Sequence, residues 1–223
     1  MGNKNNYPIC DMITKNKQTQ FKTNDRLIRE VLIQDLGVRH ANDPTVRIIE
    51  ELGINHGSAR VDIAVVNGVM HGYEIKSDLD NLLRLPEQIE AYNAVFNKMT
   101  LVVGWTHIQE AIELIPDWWG ITIARTNSEG NMILNSIRLP DYNKSQDSVS
   151  IARLLWRDEA LNILKELDKA KGILSQPRSI IYEKLVDTLD KDTLQSKVRE
   201  TLFFRPSWRV DQQLQINGGL CQI

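Results

Sequence analysis

Apolar positions along the chain fall into two rhythms. In "NDRLIREVLIQDL" they recur at helical spacing, with Asn24 or Thr23 placed to cap the start and Gly37 past the end. "TVRIIEELGI" follows Pro44 and reads as a strand or a short helix, its β-branched content favouring the strand. "RVDIAVV" and "MHGYEIKS" read as strands joined at Asn67-Gly68, a turn signal. "LPEQIEAYNAVF" is a helix with Pro86 in its first turn, "MTLVVG" a short buried strand, and "IQEAIELI" a helix stopped by Pro116. "WGITIART" and "NMILNSIRL" pair around Ser128-Glu129-Gly130. This alternation predicts an α/β fold with a mixed β-sheet flanked by helices. After the polar connector "PDYNKSQDS" the pattern becomes purely helical, through "SIARLLWRDEALNILKEL", "RSIIYEKLVDTL" and "KDTLQSKVRETLFF". The expected organisation is a polar leader over residues 1–22, an α/β domain over 23–144 and a small all-helical unit over 145–223.

Composition narrows the function classes. Apolar residues make up 42% of the 223 positions and charged residues 25%, as in ordinary globular proteins. A formal net charge of −2 argues against a nucleic-acid coat protein but leaves room for a local basic groove. No apolar run approaches the ~20 residues that span a bilayer, so no membrane partner is expected. Cys10 and Cys221 form neither a disulfide framework nor a metal knuckle, and the expected compartment is a reducing cytoplasm.

The predicted sheet contains misplaced chemistry. Asp62 interrupts one core strand, and Glu74 and Lys76 interrupt the next, although burying an unpaired carboxylate costs several kcal/mol. Alternation puts Glu74 and Lys76 on one face, with Tyr73, Ile75 and Ser77 on the other. Asp62 shares that face only if the hairpin is not a plain two-residue one, since a two-residue loop would pair Asp62 with Tyr73. A shared face needs a three- or five-residue connection or a bulge, for which Gly68 and Gly72 are candidates. Two neighbouring carboxylates stay ionised only beside positive charge, and Mg²⁺ (or Mn²⁺) with a nearby lysine meets that need. Such a set suits phosphodiester hydrolysis.

Asp62 followed by Glu74-Ile75-Lys76 resembles the signature of the PD-(D/E)XK, or restriction-endonuclease-like, nuclease superfamily. Position 61 is Val where the superfamily's name has Pro. The resemblance implies a metal site of Asp62 and Glu74 completed by an upstream acid, Glu51 with Glu50 as rival. It also implies polar help from the following helix, where Gln88 and Tyr92 lie four apart on one face. Together with "LIPDWWGI" and "IARLLWRDEAL", the run from Glu50 to Phe96 also resembles a poorly characterised bacterial family of nuclease-like proteins. The implied activity is Mg²⁺-dependent cleavage of nucleic acid, DNA in preference to RNA, by a homodimer or with a protein partner. The alternatives are an RNase, a partner-dependent nuclease, or a catalytically inactive nucleic-acid-binding module of the same fold.

Other polar residues have blander readings. Asp78 and Asp80 belong to the loop or cap the next helix, and Arg84 either grips a phosphate or pairs with Asp80. His56 and His71 read as ordinary polar residues, and Trp118-Trp119 as packing. Lys98 and the arginines at 153, 157, 178, 199, 205 and 209 read either as a surface for a nucleic-acid backbone or as solvated helix faces, and the interspersed acids Asp158, Glu159 and Glu166 favour the second.

Overall fold

The computed structural model describes residues 22–206. Most of the expected leader, both cysteines and Arg209 lie outside the described residues. Helix α1 (Asp25–Arg39) begins where the Asn24 side chain accepts the Leu27 N–H at 3.0 Å, and it buries Ile28, Leu32 and Leu36 along one stripe. Gly37 lies inside α1 rather than beyond it. With no Cβ to clash, and helix propensity dominated by its neighbours, one glycine does not end the helix.

Six strands follow: β1 (Arg47–Ile54), β2 (Ala59–Asn67), β3 (Val69–Lys76), β4 (Lys98–Gly104), β5 (Gly120–Thr126) and β6 (Met132–Arg138). They form one mixed sheet in sequence order. β1, β2 and β3 are successively antiparallel, β4 and β5 run parallel to β3, and β6 turns back. The two parallel connections carry α2 (Leu85–Asn93) and α3 (Ile108–Leu114), because parallel neighbours require a crossover.

Apolar side chains cover both sheet faces. On one, α1 meets Ile63, Val65, Tyr73, Ile75, Val102 and Ala124. On the other, Leu101, Val103, Tyr92 and Trp119 join a larger cluster that continues without a break into the C-terminal helices. Those helices are α4 (Ser148–Ala152), α5 (Arg157–Glu166), α6 (Arg178–Thr188) and α7 (Lys191–Phe204). The connector before them is tied down: Asn143 donates to the carbonyls of Asn93 at 2.6 Å and Phe96 at 3.0 Å.

The pattern over residues 150–167 predicts one helix, but the chain breaks it at residues 153–156. The Trp156 N–H is taken at 2.6 Å by the Glu159 carboxylate, which starts a new helix, and the break lets Leu154 and Leu155 both be buried. Among the described residues no helix is long and apolar enough to cross a membrane.

Candidate functional site

The hairpin between β2 and β3 settles where the acids point. Val66 pairs with Met70, Ala64 with Gly72 and Ile63 with Tyr73, with Gly68 at φ 60° in the turn. This register differs by one from a plain two-residue loop, and continued one step it brings Asp62 opposite Glu74. Instead of a backbone ladder bond there, the Ile75 N–H donates to Asp62 Oδ2 at 2.7 Å. β1 is irregular at the same level. Glu51 has φ 55°, between the pairs Glu50–Ile63 and Leu52–Val61. Val61 and Ala64, three apart, consequently touch the same apolar cluster.

Glu74 is 1% exposed. Its Oε1 accepts from Lys76 Nζ and, at 2.6 Å, from Gln88 Nε2, while Oε2 lies 2.9 Å from the Tyr92 hydroxyl. The expected helix residues thus do reach the acid. Burial first, and the Asp62 charge second, push the Glu74 carboxyl up to about 7, against the pull of Lys76 and Tyr92. The Tyr92 hydroxyl also lies 2.6 Å from the Arg60 carbonyl. One phenolic proton serves only one of these two acceptors, so a protonated Glu74 donating to Tyr92 would complete the chain. Gln88 Oε1 is buried with no hydrogen-bond partner among the described residues.

Asp62 and Glu51 are held differently. Arg29 of α1 stands between them, with Nη2 2.6 Å from Asp62 Oδ1 and Nη1 3.0 Å from Glu51 Oε1. Arg60 Nε takes Glu51 Oε2 at 2.6 Å. Burial raises the Asp62 carboxyl above its ordinary value despite its partners. Asp25, one turn back on α1, also pairs with Arg29 at 3.3 Å. The carboxylates of Asp25, Glu51, Asp62 and Glu74 therefore meet the cations of Arg29, Arg60 and Lys76 here, and Arg29 and Lys76 supply the charge balance expected from a metal. Glu51, Asp62 and Glu74 are not drawn into one ligand set. Among the described residues no group of three or more His, Cys, Asp or Glu could hold a metal ion.

Arg29 and Arg60 escaped the sequence reading. The one available signal for Arg29 was its place on the stripe of α1, three residues before buried Leu32. The rival Glu50 is exposed and turned elsewhere. Asp78 lines a loop: its carboxylate accepts the N–H and hydroxyl of both Thr23 and Thr106, at 2.8–3.0 Å. Asp80 accepts from Ser77 N–H at 2.8 Å, and Arg84 is exposed without an ion pair to Asp80. His71 is bonded to Thr100 at 2.8 Å inside the fold. Trp119 is fully buried, its indole N–H donating to Asn93 at 2.9 Å.

The chain belongs to the family described as bacteriophage P4 protein cII, whose model matches residues 18–211. Protein cII of Enterobacteria phage P4 is 32% identical over 81 residues, which are 36% of this chain and 31% of that relative. The match thus spans under a third of the relative's length. A solved structure, the SPO1766 protein of unknown function from Silicibacter pomeroyi, aligns over 68% of this chain and 94% of its own at 20% identity. Its TM-score of 0.35 carries no argument about fold.

Proposed function

We propose that this chain is a metal-dependent nuclease of restriction-endonuclease-like fold that hydrolyses phosphodiester bonds, in DNA for preference. The observation that carries the reading is Glu74, a nearly inaccessible carboxylate held by Lys76, Gln88 and Tyr92 with Asp62 beside it. A purely structural carboxylate at that depth would be costly compared with an apolar residue. The element order agrees: a helix, three antiparallel strands, a crossover helix carrying Gln88 and Tyr92, and a strand parallel to β3.

The acids offer oxygen donors of the kind Mg²⁺ or Mn²⁺ takes, but with Arg29 and Lys76 in place they do not converge on one ligand set. Asp62 Oδ1 and Glu74 Oε1 are hard oxygen donors, each already in contact with a cationic side chain, and Gln88 Oε1 is a buried acceptor with no donor among the described residues. A divalent ion bound by Asp62 and Glu74, with Glu51 in support, would polarise a phosphate and lower the pKa of water. Lys76 then holds an ammonium beside the reacting phosphate, orienting the attacking water or offsetting charge on the phosphoryl oxygens. The water oxygen forms the new bond to phosphorus as the bond to the leaving oxygen breaks. Gln88 and Tyr92 fix the Glu74 carboxylate against rotation. Arg29 must release Asp62 for the ion to enter.

That last requirement supports a second reading, a nucleic-acid-binding module whose acids are permanently closed by Arg29. The two are separated by melting the native protein and Asp62→Ala with and without Mg²⁺ or Mn²⁺. The nuclease reading predicts a metal-dependent rise in Tm that Asp62→Ala loses. No rise in the native protein favours the closed module.

A further inference from the structure

A second concave site lies outside the carboxylate cluster. A cleft of about 680 Å³ opens between edge strand β1 and the C-terminal helices, lined among others by Arg47, Arg153, Arg178 and Arg205 with Trp156 and Tyr182. Among the described residues Glu50 is the one acid in its lining. For a chain of net charge −2, four guanidinium groups around one cleft is a strong local bias.

These charges are only partly neutralised. Arg205 pairs with Glu159 and lies 4.4 Å over the Trp156 ring. Arg47 donates to the carbonyls of Leu202 and Phe203, at the end of α7, and has no carboxylate partner among the described residues. Arg153 makes one long hydrogen bond, 3.3 Å, to Asn55. Arg178 is exposed and has neither ion pair nor hydrogen bond among the described residues. Trp156 is 49% exposed, so part of its ring remains available at the rim. Among the described lining residues, Arg47, Arg153 and Arg178 thus present positive charge to one concavity against the carboxylate of Glu50.

We propose that this cleft binds the sugar-phosphate backbone of one nucleic-acid strand, with arginines on adjacent phosphates and a base against Trp156. Guanidinium groups match phosphate oxygens in bidentate geometry, and an aromatic surface beside them accepts any base by stacking. Several separated cations suit a chain of phosphates better than one small anion. The cleft's volume of about 680 Å³ has room for a short stretch of one strand. β1 forms one wall through Glu50, Leu52 and Gly53, while Glu51 between them turns to Arg29 and Arg60. The strand site and the carboxylate site therefore share β1. The proposal borrows from the nuclease reading only the class of ligand.

The test is fluorescence anisotropy of the full chain with a labelled single-stranded oligonucleotide of roughly ten nucleotides, in EDTA, across a salt series. Arg153→Ala/Arg178→Ala is compared with the native protein, and Arg178→Glu serves if the double variant fails to fold. Removing two phosphate contacts is expected to raise Kd at least about tenfold and lessen the slope of log K against log salt by about 1.4. Unchanged affinity and slope in the folded variant would overturn the assignment. So would equal affinity for a mononucleotide, which would make the cleft a free-nucleotide site, or equal arginine-dependent affinity for duplex. Because binding is read without metal, failure here leaves the nuclease reading intact, and absence of cleavage leaves this one intact.

Discussion

Glu74 and His71 stand three residues apart on β3 and respond to pH in opposite senses. Glu74 holds its proton more tightly folded than unfolded. Its contribution to stability is complete below about 4.5 and is lost as pH rises to about 7. His71 is the reverse: burial, helped by Lys98, lowers its ring to about 3, so its contribution is complete above about 6.5 and lost on acidification. The two slopes, each approaching about 1.4 kcal/mol per pH unit, oppose one another between about 4.5 and 6.5. In EDTA, urea unfolding across that window should show stability rising more steeply with pH in Glu74→Gln than in the native protein. His71→Gln should shift the slope the other way. If neither variant changes the profile, these two environments are misassigned. Arg29→Ala is expected to cost about 2–3 kcal/mol without metal, allowing for partial exposure, yet to tighten Mn²⁺ binding by removing the competing cation. Urea unfolding in EDTA reads the first, and calorimetric titration with Mn²⁺ reads the second. The pairing of Asp62 with Glu74 was legible only conditionally: period-two alternation required an irregular hairpin if the two acids were to share a face, and the chain supplies one. Arg29 was not, because its contact to Asp62 spans 33 positions and no local spacing encodes it. Nor could the sequence choose Glu51 over Glu50. That choice depends on a positive φ at Glu51, which glutamate does not announce.

Elements were easier to read than their ends. All six strands fall where alternation, β-branching and turn signals put them, since each is flanked by a turn or a helix of distinct period. Residues 150–167 misled because Leu154, Leu155 and Trp156 continue a helical apolar pattern while the Glu159 carboxylate captures the Trp156 N–H and restarts the chain. Two glycines separate the cost of backbone freedom from that of close approach. At Gly37, inside α1, an added Cβ meets nothing within 4 Å, so Gly37→Ala should stabilise by roughly 0.5–1 kcal/mol. At Gly104 the same atom would lie 2.6 Å from the Asp78 backbone nitrogen. Gly104→Ala should destabilise by about 2 kcal/mol or more, as overpacking does. Denaturant midpoints of the two variants, moving in opposite directions, check both.

At the scale of the molecule, Ile151, Leu164, Tyr182 and Leu202 of the helical segment share one apolar cluster with Leu101, Val103 and Trp119. Such continuity predicts a single cooperative thermal transition for the described residues. A chain stopped at residue 147 should expose that cluster and lose its near-ultraviolet circular dichroism. Two separate calorimetric transitions, with an intact α/β signal in the truncated chain, would make the helices an independent unit. The sequence showed a change of pattern near residue 145 but not this shared core, because hydrophobic periodicity records which face is buried and not against what. The same helices carry the arginine cleft alongside β1, so one wall of the proposed strand site and Glu51 come from the same strand.

The most direct measurement is cleavage of a panel of supercoiled and linear duplex DNA, single-stranded DNA and RNA in Mg²⁺, Mn²⁺ or EDTA. Native protein is run beside folded Asp62→Ala and Lys76→Ala variants. Metal-dependent cutting, strongest on DNA and abolished by both substitutions, is the predicted result. Cutting that survives in EDTA, or that both variants retain, would contradict the assignment of the Asp62–Glu74–Lys76 site.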